Sequence, residues 1–122
     1  MAKRVLVVDD AAFMRMMLKD ILKSGGYEIV GEAGDGKEAL DAYPTLKPDF
    51  VTMDIVMPNM GGLDALRALR QADPNAAVIM VSAMGQDALV QEASEAGAKG
   101  FIIKPFRPQA VLDTVRGAVG EA

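Results

Sequence analysis

Polar residues stand where four apolar runs of this chain end. Val5-Leu6-Val7-Val8 runs into Asp9-Asp10, and Phe50-Val51-Thr52-Met53 into Asp54. Val78-Ile79-Met80-Val81 ends in Ser82, and Phe101-Ile102-Ile103 ends in Lys104-Pro105. Gathered at one place, these three carboxylates, one hydroxyl and one ammonium define a chemistry. Carboxylates 4 Å apart repel by roughly 4 kcal/mol per pair at an effective dielectric near 20. A divalent ion with a preference for hard oxygen offsets that repulsion. In an open, water-rich, all-oxygen site Mg2+ is favoured over a transition metal. Such an ion, with the Lys104 ammonium and the Ser82 hydroxyl, makes a receptor for a dianionic phosphoryl group, whose transfer needs mainly positioning and charge neutralisation. Asp54 is suited to supply the attacking oxygen, because a carboxylate is ionised at neutral pH and needs no separate base.

Each residue also has a structural explanation. Asp9-Asp10 suits a helix N-cap with a favourable dipole contact. Ser82 suits a cap on the following helix, Lys104 a solvated surface lysine, and Asp54 a loop or cap position. The joint occurrence favours the chemical reading: four strand ends carry these side chains, and the carboxyl edge of a parallel sheet is where α/β folds place their ligand sites.

The elements that must position them follow from the periodicity. Short apolar runs with β-branched residues fit strands buried on both faces. After the first strand, a helix is predicted from about Ala12 to Ser24, with Met14, Met17, Leu18 and Ile21 on one stripe. Gly25-Gly26 stops it, since glycine takes the left-handed conformation after a C-cap. Tyr27 to Ala33 reads as a second strand, less buried and near an edge. Asp35-Gly36 is a turn, and Lys37 to Leu46 a helix with Ala39, Leu40 and Tyr43 inward, ending or distorted near Pro44. After the central strand, Pro58 and Gly61-Gly62 lead to a helix from about Leu63 to Ala72 that buries Leu63, Leu66 and Leu69. Asp73-Pro74-Asn75 breaks it. A fourth strand, a helix over Gln86 to Ala96, a fifth strand and a helix from Pro108 to about Val119 complete the chain. Five strands alternating with five helices predict an α/β fold, a doubly wound five-stranded parallel sheet of the flavodoxin-like kind. Its expected order is 2-1-3-4-5, which sets Asp9, Asp10 and Asp54 side by side. Residues 1–122 read as a single domain.

Composition excludes several classes. At 122 residues with 51% hydrophobic and 25% charged residues, the chain reads as an ordinary globule with a real core. A net charge of −4 argues against a nucleic-acid surface. Neither Cys nor His occurs, which removes disulfides, thiolate metal sites and imidazole catalysis and fits a cytoplasmic setting. No apolar run is long enough to span a bilayer.

The set Asp9-Asp10, Met53-Asp54, Met57-Pro58, Gly61-Gly62, Ser82-Ala83 and Lys104-Pro105-Phe106 resembles the response-regulator receiver domains of two-component signalling, over essentially the whole chain. The resemblance implies that Asp54 is the phosphoacceptor and that Asp10 ligates Mg2+ directly. It implies that Asp9 acts through water and that the Val56 carbonyl supplies a third protein ligand. Ser82 becomes the switch hydroxyl, Phe101 the switch aromatic, and Lys104-Pro105 a cis bond. Val8 to Arg15 and Ser82 to Gln86 are most similar to chemotaxis-type regulators in their Gram-positive and Thermotoga-like form. The expected partners are then a histidine kinase and a flagellar motor switch protein or phosphatase, met by a monomeric protein. Its docking face would combine Ala88, Ala93, Lys99 and Phe106. Ser82 stands where Thr is commoner, and Val56 and Met84 are apolar where polar residues are usual, which bears on the rate of self-dephosphorylation.

Three other readings compete. A haloacid-dehalogenase-like phosphohydrolase also uses an Asp nucleophile, but requires a second acid two positions on, where Val56 stands. A flavin or nucleotide module on this fold requires a glycine-rich loop after the first strand, where Asp9-Asp10-Ala11-Ala12 stands. A single-domain receiver serving a relay outside chemotaxis shares every motif.

Overall fold

The computed structural model describes residues 2–122. Strands β1 (Arg4–Val8), β2 (Glu28–Ala33), β3 (Phe50–Asp54), β4 (Val78–Ser82) and β5 (Gly100–Ile103) alternate with helices α1 (Ala12–Ser24), α2 (Gly36–Leu46), α3 (Gly62–Ala72), α4 (Asp87–Glu95) and α5 (Pro108–Val119). The strands form one sheet in the order β2-β1-β3-β4-β5. Every neighbouring pair is parallel, as the doubly wound reading requires. β3 is buried along its whole length, whereas β2, at the edge, buries only Ala33 fully. No described helix is long and apolar enough to cross a membrane.

The period of two along each strand sorts the core into two halves. Leu6, Val8, Val51, Met53, Val78 and Met80 pack with Ala39 of α2, Ala65, Leu66 and Leu69 of α3, and Ala93 of α4. Val5, Val7, Phe50, Ile79, Val81 and Ile102 pack on the other side with Leu18, Ile21 and Leu22 of α1 and Val111, Leu112 and Val115 of α5. Burying large side chains on both faces is what holds the sheet, at about 1.5–3 kcal/mol for each fully buried aliphatic.

Several local expectations are revised. Met14 and Met17 are only half-buried, and Leu22 completes the inward stripe of α1. The stop at Gly25-Gly26 is as expected: Gly25 is the C-cap of α1, and Gly26 after it takes the left-handed backbone, at φ +92°. Pro44 lies inside α2, which runs on to Leu46. In α3 the helix begins at Gly62, so Ala65 rather than Leu63 points fully inward with Leu66 and Leu69.

Candidate functional site

The same alternation that builds the core aims the site. Val7 and Asp9, Phe50 and Asp54, and Ile102 and Lys104 are each separated by an even number of residues. By strand register their side chains therefore share the α1/α5 face of the sheet. At its carboxyl edge the Lys104 Nζ donates to Asp9 Oδ2 at 2.9 Å and to Asp54 Oδ2 at 3.1 Å. The other oxygens are held by backbone: Asp54 Oδ1 accepts from the Ile55 N–H and Asp9 Oδ1 from the Ala11 N–H, both at 2.9 Å. Asp10, in the loop after β1, is exposed. One carboxylate oxygen from each of Asp9, Asp10 and Asp54 lies within 4.8 Å of the others.

Burial raises the Asp54 carboxyl above the usual range, and the Asp9 charge raises it further, against the pull of Lys104. Burial alone would lower the Lys104 ammonium. Its contacts with Asp9 and Asp54 outweigh burial, so it too is raised. Three carboxylates facing one ammonium leave an excess of negative charge on hard oxygen donors. That donor set fits a divalent cation of the Mg2+ type, and the cluster is capable of holding one.

The structural explanations of these residues are mostly set aside. α1 has Ala11 as its N-cap and no side-chain cap bond, so neither Asp9 nor Asp10 caps it. α4 is capped at Gln86, four residues beyond Ser82. The Lys104 side chain is 15% exposed and doubly paired, unlike a solvated lysine.

Ser82 and Phe101 stand apart from this trio. Met80 pairs with Phe101 across β4 and β5, and Met80, Ser82 and Phe101 fall on the α3/α4 face. Ser82 is buried; its Oγ accepts from the Met84 N–H at 3.0 Å, and its carbonyl accepts from the Lys104 N–H at 2.8 Å. Phe101 is half-buried against the core and lines a cavity of about 180 Å³ with Val90, Ala93, Lys99 and Gly100. Ala93 is only 1% exposed, so it belongs to the floor under α4 and not to an outer docking face; Ala88 and Lys99 are exposed. The Lys104-Pro105 bond is cis. The Val56 side chain is 62% exposed at the rim.

The loop after β3 folds tightly back on the acid-bearing strand. The Gly62 N–H donates to the Ile55 carbonyl at 2.8 Å, and a Cβ on Gly62 would lie 2.0 Å from the Asp54 carbonyl oxygen. Only glycine permits that approach. Two residues of this region escaped the sequence reading. Asp35 caps α2 by accepting from the Glu38 N–H at 2.8 Å, and its second oxygen accepts from Asn59 Nδ2 at 2.7 Å. These bonds, the one from Asn59 foremost, hold the Asp35 carboxyl below the usual range. The legible signal was Asp35 three residues ahead of Glu38, a capping-box spacing.

Comparison with known proteins agrees with this geometry. The response regulator receiver domain family model matches residues 5–116. The chain is 60% identical over 115 residues to the chemotaxis protein CheY of Thermotoga maritima, covering 94% of this chain and 96% of that protein. It is 54% identical, with the same coverages, to the chemotaxis protein CheY of Bacillus subtilis. Among solved structures, a chain of the CheX-CheY-BeF3-Mg+2 complex from Borrelia burgdorferi superposes with a TM-score of 0.91 at 41% identity, over 93% of this chain and 87% of that one. The chain belongs to the response regulator receiver domain family, whose members are phosphoacceptor signalling proteins and not enzymes acting on an external substrate.

Proposed function

We propose that this protein accepts a phosphoryl group on Asp54 from the phosphohistidine of a histidine kinase and thereby changes its affinity for a downstream partner. The observation that carries this reading is the Lys104 ammonium bridging Asp9 and Asp54, with an oxygen of Asp10 within 4.8 Å. An Asp54 carboxylate oxygen attacks phosphorus as the bond from phosphorus to the donor imidazole nitrogen breaks. The electron pair of that bond leaves with the imidazole, and Asp54 becomes an acyl phosphate. Asp10, Asp54 and the Val56 carbonyl would hold Mg2+, with Asp9 acting through water. When bound, the ion neutralises charge on the phosphoryl oxygens. Lys104 then moves its contact from the Asp54 carboxylate to a phosphoryl oxygen. Ser82 donates its hydroxyl proton to another, and Phe101 follows into the space vacated by the Ser82–Met84 loop. Val56 and Met84 are both exposed and apolar where polar residues are usual, which bears on the rate of self-dephosphorylation.

Chemotaxis is the signalling context the relatives support: the two compared sequences are chemotaxis proteins, and each is matched over 96% of its own length. A flagellar motor switch protein or a phosphatase is the corresponding partner. The test is labelling with acetyl phosphate and Mg2+. Wild type should gain one acid-stable, base-labile phosphoryl group, and Asp54→Asn should lose it. Undiminished labelling of that variant at another residue would sink the assignment.

A further inference from the structure

The loop from Ile55 to Gly61 carries the backbone that completes the site, and its tip is tied to a different part of the fold. Asn59 sits at φ +66°, a left-handed conformation that glycine adopts more cheaply than any other residue. Asparagine there gives up that ease in exchange for its amide. Asn59 Nδ2 donates to Asp35 Oδ2 at 2.7 Å, while Asp35 Oδ1 holds the first turn of α2 through Glu38. One residue on, the Gly36 N–H donates to the Met60 carbonyl at 3.0 Å. A Cβ on Gly36 would lie 2.7 Å from that carbonyl, so the two loops meet at a distance only glycine allows. Asp35 is 5% exposed and Asn59 is exposed, so their charge-assisted hydrogen bond is half-buried at the loop's surface.

We infer that Asp35 and Asn59 are positioning residues: their hydrogen bond fixes the β3–α3 loop in the geometry that binds the metal and accepts the phosphoryl group. The inference rests on the phosphoacceptor reading, and it extends the site to a strand edge, β2, that contributes no reacting group. The physical argument is preorganisation. A loop left to fluctuate must be ordered when the ion binds, and outer-shell hydrogen bonds that prevent this typically govern metal affinity by about tenfold or more.

Four variants of the full chain separate positioning from mere stabilisation. Asn59→Gly keeps the left-handed backbone and removes the amide. Asp35→Ser keeps a good helix cap and removes the reach to Asn59. Mg2+ affinity by calorimetric titration should weaken about tenfold in each. The double variant should be no weaker than either single, because both remove one interaction. The exchanged pair, Asp35→Asn with Asn59→Asp, restores an amide-to-carboxylate bond and should recover most of the affinity and of the acetyl phosphate labelling rate. Exchange of the Gly36 amide hydrogen should quicken in the singles and slow again in the exchanged pair. Singles that bind Mg2+ as wild type does, additive losses, or an exchanged pair that recovers nothing would each overturn the positioning role. A wild type that takes up neither Mg2+ nor phosphoryl group overturns the phosphoacceptor reading, and the positioning role with it.

Discussion

Thr52 lies two residues before Asp54, on the same face of β3, fully buried between β1 and β4. Its hydroxyl has no hydrogen-bond partner. An unpaired buried hydroxyl costs about 1–3 kcal/mol, and an apolar group of the same shape avoids that penalty. Thr52→Val should therefore raise stability by about 1 kcal/mol and the melting midpoint by roughly 2–6 °C. A lowered midpoint in calorimetry would show that the hydroxyl is satisfied after all. At this scale the residues that come together, Asp9, Asp54 and Lys104, were plain in the sequence, because each follows or closes an apolar run that has few conformational options. Asp35 and Asn59 were not. Each has a sufficient local explanation, as a helix cap and as a turn residue, and they meet only across 24 positions of chain.

Among the elements, α2 and α3 are joined at their far ends by Tyr43, whose hydroxyl donates to Asp73 Oδ2 at 2.9 Å. Burial first, then the Asp73 carboxylate, push its phenol up to about 12. The folded state therefore keeps the Tyr43 proton that the unfolded chain releases from about pH 10 upward. Its contribution is complete below pH 10 and is lost as pH rises toward 12. At pH 8, Tyr43→Phe should be less stable by about 1 kcal/mol, the ordinary worth of a hydrogen bond. The gap should close by pH 11, because only wild type loses this contribution. Urea midpoints at the two values measure it, and a gap that widens with pH would refute the assignment. Element boundaries show what sequence pattern misses. The strand runs were legible because parallel strands buried on both faces have little choice of composition. The α3 inward set shifted from Leu63 to Ala65, since the approach of Gly62 to the Asp54 carbonyl is a tertiary constraint that fixes where the helix starts. Ala93 was assigned to the surface for its size, yet a small residue is also what lets α4 lie close on the sheet.

Across the whole molecule the sheet divides labour. Asp9, Asp54 and Lys104 lie by register on the α1/α5 side, and Ser82 with Phe101 on the α3/α4 side. The proposed switch must therefore pass between strands, from β3 to β4 and on to β5. Ser82→Ala should leave Mg2+ affinity within about twofold of wild type, since Ser82 is no ligand, while removing most of the response of Phe101. The measurement is the aromatic NMR signal of Phe101 with and without beryllofluoride and Mg2+. An equal shift in both proteins would show that the hydroxyl does not carry the signal. Strand count and crossover handedness left few sheet orders, and the one expected among them, which sets these residues on neighbouring strands, is the one observed. The separation of the two sides followed only once the register was known.

That separation makes traffic through the sheet two-way. A molecule seated over Phe101 that gains affinity by some factor when Asp54 is modified must, by linkage, strengthen the modified state by the same factor. On the proposed function, a partner with a grip on the α4–β5 cavity would thus act as a thermodynamic accomplice of the kinase without ever touching an acidic residue. Its concentration in the cell enters the phosphorylation equilibrium as directly as that of the phosphoryl donor.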